Sequence, residues 1–149
     1  MIDLIQYKKC FIQEKVVTRE IVCSENRSKY VLKNKSSYKV CKIQVDNCIC
    51  TGKDGEKCDY LLRAENGNTK LLFLVELKGR DILKAVSQLE QSLIKLSITV
   101  KSGYKVFGRI VPTSSYGPDI RSTAYKSLDN KFRTLKGNLK CQTQNFDII

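Results

Sequence analysis

The feature that most constrains this chain is Leu71-Leu72-Phe73-Leu74-Val75, an unbroken apolar run that ends in Glu76-Leu77-Lys78-Gly79. Apolar residues in succession, bounded by turn signals, predict a strand buried on both faces. A core strand ends in two charges only where those charges have a task or an exit to solvent. Upstream, Cys58-Asp59-Tyr60-Leu61-Leu62 predicts a partner strand, and Glu65-Asn66-Gly67-Asn68 between them carries an Asn-Gly step, the strongest short-range hairpin signal. A turn centred on that step sets Asp59 opposite Leu74. Alternation then places Asp59 on the face of Leu72, Leu74, Glu76 and Lys78. Asp59 and Glu76 become diagonal neighbours with Cβ atoms about 7–8 Å apart. A single bulge would turn one strand over and separate them.

Around this hairpin the chain reads as alternating strands and helices. Lys39 to Cys50 alternates, with Cys41, Ile43 and Val45 against Val40, Lys42, Gln44 and Asp46, so strands over 40–50, 57–64 and 70–78 form an antiparallel meander. Asp46 lies on the strand beside that of Asp59, close enough to join it or to serve a local turn. After Gly79-Arg80, Asp81 is an N-cap candidate. Ile82, Ala85, Val86, Leu89, Leu93 and Leu96 form an apolar helical stripe opposite Lys84, Gln88, Gln91 and Lys95. Tyr104 to Val111 predicts a fourth strand stopped by Pro112, joined by a parallel crossover. Asp119 is the cap candidate for a last helix, in which Ile120, Ala124, Leu128, Phe132 and Leu135 recur beside Arg121, Lys126, Lys131, Arg133 and Lys136. That basic helix suits a phosphate backbone, and equally an ordinary solvated face. Residues 3 to 23 fit an amphipathic helix in part, with a strand allowed late in the segment. A short strand is expected around Tyr30-Val31-Leu32.

Composition narrows the chemistry. At 149 residues the chain is expected to form a single domain over 1–149. Its 27 Lys and Arg against 15 Asp and Glu give a net charge of +12, which favours a polyanionic partner, nucleic acid before an anionic membrane surface. There is no histidine, which excludes Ser-His-Asp and Cys-His catalysis and His-ligated zinc. Acid–base work falls to carboxylates, lysines, tyrosines or metal-bound water. No run approaches the roughly eighteen apolar residues of a membrane span, and the N-terminus lacks the pattern of a signal peptide. The seven cysteines are therefore expected reduced, in a cytoplasmic protein. Cys41, Cys48, Cys50 and Cys58 lack paired CxxC knuckles, so buried thiols are expected over a zinc-thiolate site.

Asp59, followed by Glu76-Leu77-Lys78 at the end of an apolar strand and then a helix, resembles the PD-(D/E)xK nuclease superfamily, to which restriction endonucleases, junction resolvases and RecB-type exonucleases belong. The resemblance covers roughly residues 40 to 111, with Cys58 where the motif has proline. It implies an α/β (α+β) fold with a restriction-endonuclease-like core, a central mixed four-stranded sheet flanked by helices. It further implies a supporting glutamate on the first helix, Glu14 or Glu20, and a supporting glutamine on the helix after the lysine, Gln88 or Gln91. Lys84, Arg121, Lys126 and Arg133 are the nucleic-acid-binding candidates.

The chemistry explains why these residue types suit one another. Two carboxylates on one face, Asp59 and Glu76, with the Leu77 carbonyl as a third donor, suit Mg²⁺ or Mn²⁺, hard cations that take oxygen ligands. Such an ion lowers the pKa of its water and neutralises phosphate charge. Lys78 would orient or deprotonate the attacking water and stabilise developing negative charge. The expected function is a metal-dependent nuclease acting on DNA, of the restriction, defence or junction-resolving kind, as a homodimer or one subunit of a larger defence complex. The alternative is a non-catalytic domain of the same fold that binds nucleic acid or a partner protein.

Overall fold

The apolar run is the middle of the molecule. In the computed structural model, which describes residues 1–25, 27–55, 57–77, 81–113 and 118–149, it forms β6 (Thr69–Leu77), whose residues from Leu71 to Leu77 are all buried. On one side β6 pairs antiparallel with β5 (Tyr60–Asn66), which pairs antiparallel with β4 (Lys39–Gln44). On the other it pairs parallel with β7 (Lys105–Val111), reached through α1 (Ile82–Lys95). The expected meander and parallel crossover are thus present. Beyond the four expected strands, β1 (Phe11–Val16) pairs with β4, and β8 (Leu139–Cys141), following α2 (Thr123–Thr134), pairs with β7. The result is a six-stranded mixed sheet in the order β1-β4-β5-β6-β7-β8.

The two faces of this sheet are covered differently. Cys41, Ile43, Leu61, Leu72, Leu74 and Ile110 meet α1 and α2. Val40, Leu62, Phe73, Val75 and Leu77 meet a second sheet, built from β2 (Glu20–Glu25), β3 (Ser28–Lys33) and β9 (Asn145–Ile148) in the order β2-β3-β9. The helix expected early in residues 3–23 is replaced by a 3-10 turn over Ile5–Cys10 and two strands, β1 and β2. Its Val-Val and Ile-Val pairs are β-branched, and pairing with β4 and β3 decides between two patterns that the spacing alone allows. Helices therefore lie on one face only, with a three-stranded sheet on the other.

Local chemistry sets the helix boundaries. Asp81 caps α1 by accepting from the Lys84 N–H at 3.0 Å. The predicted apolar stripe is buried, with Leu89 and Leu96 fully so, each such side chain contributing about 1.5–3 kcal/mol. The cap of α2 is Ser122, which accepts from the Tyr125 N–H at 3.2 Å, and Asp119 falls in a short 3-10 turn instead. Ala124 is exposed and Tyr125 packs on the core in its place. After α2 the chain returns so tightly under β7 that a Cβ at Gly137 would lie 1.7 Å from the Val106 carbonyl oxygen. Glycine is required there for space.

Arg109, the largest fully buried side chain, joins the two sheets. Its Nε and Nη2 donate to Asp147 on β9 at 2.6 and 3.0 Å, and its Nη1 donates to Asn138 Oδ1 at 2.8 Å. The Tyr30 hydroxyl donates to the same Asp147 carboxylate at 2.8 Å.

Cys10 and Cys48 form a disulfide, which corrects the expectation of wholly reduced thiols and removes Cys48 from any thiolate set. Cys23, Cys41, Cys50, Cys58 and Cys141 are buried and not joined in a disulfide, as expected of structural thiols. Among the described residues, no helix is long and apolar enough to cross a membrane.

Candidate active site

The hairpin register differs from the expected one by two residues. Gly67 and Asn68, rather than Asn66 and Gly67, are the central residues of the turn, with Asn66 paired to Thr69. Gly67 takes the left-handed φ of +57° there. Tyr60 consequently pairs with Val75, and the register continued by one residue sets Asp59 opposite Glu76, where a diagonal relation was expected. The shift is by two residues, so the faces are preserved. Cβ atoms directly opposite are about 4.5–5.5 Å apart.

Asp59 is fixed at both its backbone and its side chain. Its carbonyl accepts from the Val45 N–H at 3.0 Å, and the neighbouring Cys58 carbonyl accepts from the Asp46 N–H at 3.2 Å. Its Oδ2 accepts from the Leu77 N–H at 2.8 Å, bonding the carboxylate to the residue after Glu76. The Cys58 N–H donates to Ser92 Oγ on α1 at 2.8 Å, and that hydroxyl donates to the Gln88 carbonyl at 2.7 Å. The half-buried Gln88 thus lies one turn from the residue that anchors the Cys58–Asp59 corner. Gln91 is exposed.

Glu76 is 5% exposed, and Lys57, which precedes the Cys58-Asp59 pair, is also 5% exposed. Burial pushes the Cys58 thiol well above its ordinary range, the Ser92 hydrogen bond opposes that, and the charges of Glu76 and then Asp59 add to the rise. On the other side of the sheet, burial pushes the Cys23 thiol up to about 12, Lys42 opposing and Asp59 adding. Asp59 therefore sits at the strand end where its charge reaches both layers, and Glu76 converges with it on Cys58.

Asp46, expected as an extra carboxylate, does reach this corner. Just past β4, it lines with Asp59 a recess of about 130 Å³ that also takes Glu25, Gln44, Asn47 and Tyr60. Asn47, at φ +59°, donates to the Asp46 carboxylate at 3.4 Å. Neither Glu25 nor Lys57 was singled out by the motif. Their signal is spatial, since β2 reaches the recess only through the second sheet, and Lys57 lies in a loop without periodicity.

The other candidates are dispersed. Glu14 is exposed on β1 and 3.8 Å from Lys8, and Glu20 is exposed on β2, so neither stands on a first helix as the resemblance implied. Lys84, Arg121, Lys126 and Arg133 are exposed. Arg121 lies in the 3-10 turn before α2, and Arg133 is ion-paired with Asp129 at 2.9 Å. Lys78 lies outside the described residues.

Among the described residues, no group of three or more Cys, Asp or Glu side chains is arranged to hold a metal ion. Asp59, Glu76 and the Leu77 carbonyl are oxygen donors, the type that a hard divalent cation takes. Scans against family models, curated proteins and solved structures each gave no match.

Proposed function

We propose that this chain is a metal-dependent phosphodiester hydrolase acting on DNA, with a restriction-endonuclease-like core. The observation that carries the reading is the hydrogen bond from the Leu77 N–H to Asp59 Oδ2, which ties Asp59 to the residue after Glu76 at the end of β6. Asp46 and Glu25 beside them make an acidic corner in a protein of net charge +12. Bound Mg²⁺ or Mn²⁺ would supply an activated water and neutralise charge on the phosphate. The chain's own part is to hold Asp59 and Glu76 rigidly, to orient the attacking water through Lys78, and to stabilise developing charge with the same ammonium. The basic excess on Lys84, Arg121 and Lys126 would draw the DNA backbone to the helical face.

A second reading, a non-catalytic binding domain, is favoured by the 5% exposure of Glu76 and by the bond that uses Asp59 to close the strand end. Cleavage of supercoiled plasmid and branched DNA with Mg²⁺ or Mn²⁺ against EDTA separates the two. Metal-dependent nicking that drops by at least about a hundredfold in both Asp59→Ala and Lys78→Ala, the scale of lost acid–base or electrostatic catalysis, is expected. Absence of cleavage with salt-sensitive DNA binding intact would leave the binding domain.

A further inference from the structure

The outer face of the second sheet carries a surface that the nuclease reading does not use. Along β3, Tyr30 and Leu32 turn inward and are fully buried, so Lys29, Val31 and Lys33 turn outward. In the parallel pairing with β9, Val31 lies beside Phe146 and Lys33 beside Ile148, and paired residues share a face. Phe146 is 47% and Ile148 54% exposed. Lys33 Nζ stands 4.4 Å from the centre of the Phe146 ring. Arg27, Lys29, Lys33 and Phe146 together line a recess of about 330 Å³. Among the described residues, Glu20 is the carboxylate on that face, at the β2 position paired with Lys33.

We propose that this face binds single-stranded nucleic acid, with a base on Phe146 and the backbone phosphates on Arg27, Lys29 and Lys33. An aromatic ring rimmed by cations matches the two parts of a nucleotide, and each base stacked on such a ring contributes a sequence-independent share of affinity. Duplex DNA has its bases paired and stacked inside, so it offers Phe146 nothing to stack on. A protein partner would have to bury these lysines in an interface, where lysine is depleted. Residues four apart on a strand are about 13 Å apart, so Lys29 and Lys33 can meet successive parts of a strand laid along β3. The face lies across the large sheet from α1 and α2, and its binding is independent of any cleavage.

Fluorescence anisotropy of a labelled oligothymidylate, in EDTA so that no metal chemistry contributes, tests this. Wild type is compared with Phe146→Ala, Phe146→Leu, Phe146→Tyr and Lys29→Glu/Lys33→Glu, with Lys101→Glu, an exposed lysine in the 3-10 turn Val100–Ser102, as the comparator. Loss of the ring in Ala or Leu is expected to weaken binding about tenfold, with Tyr near wild type. The double charge reversal should weaken binding further and flatten its salt dependence, and Lys101→Glu should change it less. Phe146→Leu keeps an apolar side chain on the sheet, so its thermal melt controls for folding. Equal affinity of wild type and both ring-deleted variants would overturn the proposal. So would duplex competing as well as single strand, or ring-dependent binding to phosphatidylserine vesicles without binding to the oligonucleotide.

Discussion

The Arg109–Asp147 pair and the Asp46–Asp59–Glu76 corner both bring charge under the surface, and they do so in opposite ways. At the first, a buried guanidinium is met by a bidentate carboxylate and by Asn138, the Tyr30 hydroxyl donates to that same carboxylate, and the ring faces of Phe73 and Phe107 lie 5.9 and 5.2 Å from the guanidinium. Opposite charges are matched and the result is a rivet between sheets. At the second, Asp46, Asp59 and Glu76 are drawn to one sheet end, where the backbone is held by strand-end hydrogen bonds, by Ser92 and by a disulfide on the loop behind Asp46. The first ties two sheets together through side chains, and the second ties one sheet end through its backbone.

The sharpest way to break that comparison is to remove one partner from each. Asp147→Ala leaves Arg109, 1% exposed, buried without its carboxylate, and a loss of about 3–5 kcal/mol is expected, read as the urea midpoint of unfolding. The acid limb carries the same signature. Burial by itself would raise the Asp147 pKa, but the Arg109 hydrogen bonds and charge, with Tyr30 and Lys140, hold it below the ordinary carboxylate range. A folded pKa below the unfolded one contributes stability that is complete above about pH 4 and is lost as pH falls through the folded value. Asp147→Asn should therefore flatten the low-pH decline of stability. An Asp147→Ala variant as stable as wild type would mean the rivet is not one.

The acidic corner should instead respond to its supports. Reducing Cys10–Cys48, which closes a separation of 38 residues, is expected to cost about 3–4 kcal/mol on chain-entropy grounds. The measurement is a thermal melt with and without dithiothreitol, against Cys10→Ser/Cys48→Ser. No dependence on reductant in the wild type would show that the loop behind Asp46 is held without the bridge. Ser92→Ala should cost about 1–3 kcal/mol, because it leaves the buried Cys58 N–H without its acceptor. If catalysis rests on Asp59, it should also slow cleavage more than an equally destabilising change in α2.

What the sequence disclosed follows the range of the interactions. The meander, the α1 stripe and the Asp81 cap are written in periods of two and 3.6 residues and in one side chain's reach to a nearby N–H. The β5–β6 hairpin was legible because a hairpin is local, and its register missed by two residues because Asn66-Gly67 and Gly67-Asn68 are both acceptable turn centres. The β1–β4 pairing, the Cys10–Cys48 bridge, and the Asp147 that matches Arg109 from 38 residues away leave no local trace. Without those, residues 3–23 fit a helix as well as strands. The second sheet, and with it the Phe146 face, was hidden because its β9 edge is a short segment whose partner lies near the other end of the chain.

The smallest effect is the most diagnostic. Asp46 makes one long hydrogen bond with its side chain, to Asn47 at 3.4 Å. Its position is set by backbone bonds, its N–H to Cys58 and its carbonyl from Gln44 Nε2. Asp59 and Glu25 share its recess. Asp46→Asn keeps the shape, so in EDTA the melting temperature should stay within about 2 °C of wild type, a change of no more than roughly 0.5 kcal/mol. With Mg²⁺ or Mn²⁺ added, the two should separate. A ligand that binds only the folded state stabilises it by mass action, and wild type, with one more carboxylate beside Asp59, should gain more than the variant. A fall of about 2 kcal/mol in EDTA would make Asp46 a structural partner of the Asp147 kind. An identical response of both proteins to the metal would remove Asp46 from the corner's function and leave any cation to Asp59 and Glu76 alone.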